Sequence, residues 1–278
     1  MIFKPFFKSN KEKKNMVRPK KSLGQNFLVD SHIIGRMIDA CHLSKDETVI
    51  EIGPGTGAIT REIACRVKKL VAVETDRSLV DRLQTEFTQN QIQLIHADFL
   101  KVDLFQLHSG EQWKVVGNLP YYISTPIITK ILEHRQLFCE FYLTVQQEFA
   151  QRLVASPGGK DYGSFSCFVQ YYADVQILFN IKRSCFKPVP KVDSCFVKLT
   201  MRQKPLWQVQ DEVFLFKMIR LGFQQRRKTL INALSASFAK SDVGDALASA
   251  GLSPQIRAEQ VTLEQFINLS HVLLKRSP

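Results

Sequence analysis

Asn118-Leu119-Pro120-Tyr121-Tyr122 sets a side-chain amide, a main chain stiffened by proline and two aromatic rings side by side, directly after the apolar run Trp113 to Val116. Such a run reads as a buried strand, and ligands of open α/β sheets bind at the carboxyl ends of the strands. The combination suits a flat ring that bears an amine, such as adenine. An adenine amine is a poor nucleophile because its lone pair is delocalised into the ring. The Asn118 amide oxygen and the Leu119 carbonyl could hold its two N–H groups and favour the tetrahedral geometry in which the lone pair faces an electrophile. Asn118 cannot act as a base, and none is needed before transfer. Tyr121 would stack on the base, as a flipped or single-stranded base requires. In isolation, Asn-Leu-Pro-Tyr also fits a plain turn.

The electrophile is read from the preceding strand ends. Gly53-Pro54-Gly55-Thr56-Gly57 follows the apolar run Thr48 to Ile52, and a glycine-rich turn there lets main chain approach a ligand closely. Glu74 ends the next run, where a ribose hydroxyl contact is expected, and Asp98 ends the third. Alone, the glycine pattern fits a nucleotide pocket, an NAD site or a tight turn. Glu51-x-Gly53-x-Gly55-x-Gly57 lacks the longer dinucleotide spacing, and Asp98 suits the adenine amine of a cofactor; both details favour S-adenosylmethionine over NAD. A lone Asp98 is equally a helix cap or turn residue. Its place among four successive strand ends carries the cofactor reading.

The elements that must position these residues alternate. Strand patterns at Thr48 to Ile52, Lys69 to Val73, Ile92 to Ile95, Trp113 to Val116 and Phe138 to Val145 are separated by helical ones, the first capped by Asp30 or Ser31. The pattern predicts an α/β, Rossmann-like, largely parallel sheet with helices on both faces. Val175 to Ile181 and Ser194 to Met201 predict an antiparallel pair. Ser156 to Gly163 reads as a mobile polar loop. Near Gln203 the pattern changes to helices, over about 212–223, 226–237, 243–250 and 263–274. Three segments are therefore expected: a basic extension (1–19), a Rossmann-like methyltransferase domain (20–203) and a small all-helical domain (204–278).

Of a formal net charge of +12, residues 1–21 hold +7 and residues 201–278 hold +5, while 22–200 balance 19 basic against 19 acidic groups. A polyanion gripped from both sides of a neutral core fits this division, and so do two solvated faces. Arg226, Arg227 and Lys228 stand where a helix is expected to start. Cations there oppose the helix dipole, so phosphate contacts would explain them. No apolar run approaches the roughly 20 residues that span a bilayer. The six cysteines show no C-x-x-C pair and the six histidines no ligand spacing, so buried thiols, without a metal site, are expected.

Together these residues carry a resemblance. Gly24-Gln25-Asn26-Phe27-Leu28, Glu51 to Gly57, Glu74, Asp98, Asn118 to Tyr121 and Phe186-x-Pro188-x-Pro190-Lys191-Val192-Asp193-Ser194 resemble the KsgA/RsmA family, the small-subunit rRNA adenine N6,N6-dimethyltransferases. The match runs from about Lys20 to near the C-terminus. The resemblance implies that Asn26, Leu28, Gly53, Gly55, Glu74, Asp98 and Asn118 bind S-adenosylmethionine, that Asn118 and Leu119 also meet the target amine, and that Tyr121 and Phe186 sandwich the target adenine. It further implies dimethylation of two adjacent adenosines in a hairpin near the 3′ end of 16S rRNA, on an immature small subunit, by a cytoplasmic monomer. The large-subunit erythromycin-resistance methylases share the catalytic motifs, but Gly24, the Pro190 to Ser194 run and the length favour the small-subunit family. Mitochondrial transcription factors related to the family, or an rRNA-binding assembly factor that senses a maturing subunit, represent a non-enzymatic class; intact Glu74, Asp98 and Asn118 favour activity.

Overall fold

The alternation read from the sequence is present in the computed structural model, which describes residues 18–276 apart from 89–91, 109 and 205. All but the last two residues of the basic extension lie outside the described residues. In chain order the elements are β1 (Phe27–Leu28), α1 (Ser31–Ala40), β2 (Thr48–Ile52), α2 (Ala58–Ala64), β3 (Lys69–Glu74), α3 (Arg77–Glu86), β4 (Ile92–His96), α4 (Leu104–Leu107) and β5 (Trp113–Asn118). Then come α5 (Ser124–Glu133), β6 (Phe138–Gln146), α6 (Gln147–Val154), α7 (Ser164–Tyr172), β7 (Ala173–Ile181), β8 (Phe186–Lys187) and β9 (Ser194–Met201). Four helices follow: α8 (Glu212–Gln224), α9 (Leu230–Leu234), α10 (Lys240–Ser249) and α11 (Leu263–Leu274).

Seven strands make one sheet in the order β4-β3-β2-β5-β6-β9-β7. The neighbours from β4 to β6 pair in parallel, and β9 runs antiparallel to both β6 and β7. Every residue of β2 is buried, as a strand covered on both faces requires. Its residues alternate between two cores: Ile50 and Ile52 pack with Ile127, Ile128 and Ile131 of α5, while Val49 packs with Met37 of α1 and Ile63 of α2. Asp30 caps α1, accepting from the amides of His32 and Ile33.

Four local differences stand out. Helix α6 follows β6 directly, with Phe149, Ala150, Leu153 and Val154 at helical spacing, and was not among the expected elements. β1 and β8 form a two-stranded ladder with Leu28 opposite Phe186. The expected 226–237 helix is only α9; Lys228 N donates to Gln225 O in a turn, and Leu230 N donates to Ile256 O. The segment 156–163, read as mobile, is tied down: Gly158 N donates to Glu259 O at 2.7 Å, and Tyr162 is buried in the core of α8 to α11 with Cys167 and Tyr171. Glu212 at the start of α8 accepts from both Tyr171 (3.0 Å) and Tyr172 (2.6 Å). Among the cysteines, Cys41, Cys167 and Cys195 are buried, whereas Cys65 is exposed, against the expectation for all six.

Candidate active site

The parallel register brings the ends of β2, β3, β4 and β5 to one edge. There Gly53, Gly55, Glu74, Asp98 and Asn118 line a single cleft with Asn26, Leu119 and Tyr121. Gly55 has a φ of +59°, and a Cβ on it would sit 3.0 Å from the Phe27 ring, so only glycine fits. Its amide donates to Glu74 Oε2 at 3.1 Å, and the Asp76 amide donates to Glu74 Oε1 at 2.8 Å. The glycine turn thus fixes the Glu74 carboxyl, and each oxygen keeps acceptor capacity for hydroxyl groups. Burial pushes the Glu74 carboxyl above its ordinary value, against the pull of these backbone amides.

Asp98 caps a turn at the edge of the cleft. Oδ1 caps the following turn by accepting from Leu100 N at 3.0 Å, while the residue lines the cleft. The loop after it is held from α5, where Lys130 Nζ donates to the carbonyls of Leu100 (2.9 Å) and Val102 (2.6 Å).

At the end of β5, Asn118 Nδ2 donates to the Asn26 carbonyl at 2.9 Å. A carbonyl accepts only from the NH2 side of an amide, so this contact leaves Oδ1 as the acceptor for a ligand. Leu119 N donates to Thr144 O on β6 at 3.2 Å, which fixes the next peptide plane. The Tyr121 hydroxyl shares a 2.7 Å hydrogen bond with Ser194 Oγ, and this anchors a half-buried ring in the cleft wall.

Two expected site residues lie elsewhere. Phe186 is 0% exposed and Leu28 is 4% exposed; their side chains pack with α1 and α2 beneath the β1–β8 ladder. As placed, Phe186 cannot sandwich a base with Tyr121, and the Leu28 side chain is not in the cleft. Arg226, Arg227 and Lys228 of the cationic cluster are all exposed to solvent, and Arg226 also donates to the main chain of Lys160 and Tyr162. Conversely, Lys20, Asp76 and Lys130, which are not among the expected site residues, and Gln25 of the Gly24 to Leu28 motif brace the site. Asp76, two residues past Glu74 and directly before a helical pattern, was the one with a readable signal.

The donor set fits S-adenosylmethionine. Two strand-end carboxyls are placed where they can accept from hydroxyls and an amine, the Gly53 and Gly55 turn admits close approach, and Val73, Phe99 and Leu100 line the cleft as an apolar wall suited to a flat ring.

Residues 16–275 match the family model described as ribosomal RNA adenine dimethylase. Ribosomal RNA small subunit methyltransferase A of Moorella thermoacetica is 44% identical over 266 residues, covering 92% of each chain. The protein of that name in Bacillus thuringiensis is 41% identical, covering 92% of this chain and 91% of its own. Among solved structures, a dimethyladenosine transferase from Plasmodium falciparum superposes with a TM-score of 0.78 at 25% identity, covering 90% of this chain and 98% of its own. The 23S rRNA methyltransferase ErmE gives 0.70 at 28% identity, covering 89% and 99%.

Proposed function

The chain belongs to the ribosomal RNA adenine dimethylase family, and from that premise we propose that it dimethylates the N6 amines of two adjacent adenosines near the 3′ end of 16S rRNA in immature small subunits. The observation that carries this reading is the Asn118 amide, oriented by the Asn26 carbonyl beside the strand-end carboxyls. S-adenosylmethionine, when bound, supplies an electrophilic methyl on a good leaving group. Glu74 and Asp98 hold its polar groups, and Gly53 and Gly55 let the main chain close on it. Asn118 Oδ1 and the Leu119 carbonyl accept from the target amine and turn its lone pair toward the methyl, so the contribution of the chain is chiefly in-line positioning. Tyr121 holds the base flat. The amine gains acidity only once methylated, and its proton then leaves to solvent.

Arg227 and Lys228, with the helices from α8 onward, contact rRNA phosphates on this reading. The small-subunit assignment rests on the curated relatives. Among the described residues no helix is long and apolar enough to cross a membrane; a cytoplasmic monomer is the form proposed to meet the subunit. Incubation with labelled cofactor and unmodified small subunits, large subunits or naked rRNA, followed by mapping of the labelled bases, tests the proposal. Label on adjacent adenosines of the small subunit is expected, and label confined to large subunits would overturn it.

A further inference from the structure

One wall of the cleft is a strap without regular structure, Gly24 to Asn26, leading into β1. Two contacts hold it. On one side Lys20 Nζ lies 2.6 Å from Asp76 Oδ1 and Gln25 Nε2 lies 3.0 Å from Asp76 Oδ2; Lys20 N donates to Gln25 Oε1 at 2.7 Å and closes the ring. On the other side the Asn26 carbonyl receives Asn118 Nδ2.

Asp76 is a built receptor for the strap. Its side chain is 0% exposed, yet as the cap of α3 it needs only the Ser78 amide as partner. Its own amide donates to Glu74. Burial pushes the Asp76 carboxyl up, but hydrogen bonds from Lys20, Ser78 and Gln25 outweigh that and hold it at about 2, so the clasp is charged at neutral pH. Torsion about the last bond of an asparagine side chain is soft. The orientation of the Asn118 amide therefore depends on where the Asn26 carbonyl sits, and residue 25 is the clasped one.

We infer that Lys20, Gln25 and Asp76 are positioning residues for methyl transfer: by clasping the strap they set the Asn26 carbonyl, which presents Asn118 Oδ1 to the target amine. This rests on the reading of Asn118 given above. It makes one connected path from Glu74, on the cofactor side, through Asp76 and Gln25 to Asn118, on the base side.

The test is single-turnover methyl transfer by the full chain to unmodified small subunits, at saturating cofactor and saturating subunit, with hydrogen–deuterium exchange run in parallel. Lys20→Met and Gln25→Leu should each lower the saturated rate by on the order of tenfold, with the KM for the subunit little changed. Faster exchange should be confined to the strap amides, with β2 to β5 unaffected. Lys20→Arg, which keeps the charge, should restore most of the rate. A wild-type saturated rate in Lys20→Met and Gln25→Leu, with only cofactor affinity reduced, would overturn the inference, because the clasp would then serve binding alone. Equal loss in Lys20→Arg and Lys20→Met, or faster exchange throughout the sheet, would also overturn it. A wild-type protein that transfers no methyl to rRNA would overturn the underlying reading, and that is seen before any variant is compared.

Discussion

Arg226 Nη2 donates to the Tyr162 carbonyl at 3.2 Å and to the Lys160 carbonyl at 2.8 Å, and lies 3.4 Å from Glu259. A cation that charge counting assigns to RNA is thereby engaged with the chain itself. Arg226→Ala should lower stability by about 1 kcal/mol, read from the thermal midpoint. Arg227→Ala and Lys228→Ala should leave the midpoint nearly unmoved. Each should instead reduce the slope of log affinity for rRNA against log salt by roughly 0.7–0.9, measured by binding titrations across a salt series.

Asn118 is held by a donor contact and acts through an acceptor. Asn118→Ala should reduce methyl transfer by on the order of 100-fold or more without changing the thermal midpoint. Asn118→Asp keeps acceptor oxygens but sets a carboxylate against the Asn26 carbonyl, so it should fail as well. Rates with labelled cofactor check both; near-normal transfer by Asn118→Asp would show that the contact to Asn26 is dispensable.

Phe186 and Tyr121 should separate cleanly. Phe186→Ala empties a core position and should cost about 3–5 kcal/mol of stability, visible in denaturant melts. Tyr121→Ala should instead weaken the grip on the target base, with stacking worth about 1–3 kcal/mol. Tyr121→Phe, which keeps the ring and loses only the bond to Ser194, should retain most of the transfer rate.

Glu51 lies inside β2, and burial pushes its carboxyl up to about 8 from an ordinary 4.5. Because the folded value is the higher one, its stabilising effect is complete below about 4.5 and is lost as pH rises through about 8. Glu51→Gln should therefore raise the thermal midpoint relative to wild type, with a margin that widens between pH 5 and pH 8. A constant margin across that range would mean that Glu51 does not titrate there.

The four strand-end residues were legible because each follows its own apolar run within a few positions, so local patterning both marked the strand and located its end. The shared edge then followed from parallel pairing. Tyr121 is legible from the ring beside the amide, Asn26 only from the motif resemblance, and the structure adds the bonds that orient Asn118 and Tyr121. The burial of Phe186 is not legible locally, because it depends on pairing with Leu28, far away in the chain, and no local pattern records that ladder. The contacts of Arg226 are equally non-local: a count of charges gives its sign, while its partners are carbonyls in the loop after α6. The Lys20 to Asp76 clasp is not legible locally, because a basic tail and a helix cap each have a sufficient local explanation. Helix α6 was readable from its spacing and needed no distant information.

Tyr162, Cys167 and Tyr171 belong to the same core as the helices α8 to α11, and Glu212 joins Tyr171 and Tyr172 to the start of α8. Phe168 and Tyr172 of α7 pack against both that core and the core of the sheet. Removing α8 to α11 would therefore strip apolar cover from residues that also support the sheet, and the tail cannot be cut away as an independent handle. On the proposed reading it behaves as a gauge of fixed length: RNA held at Arg227 and Lys228 presents to the cleft only bases that lie a set distance along the strand, and target choice becomes a matter of span as well as of base identity.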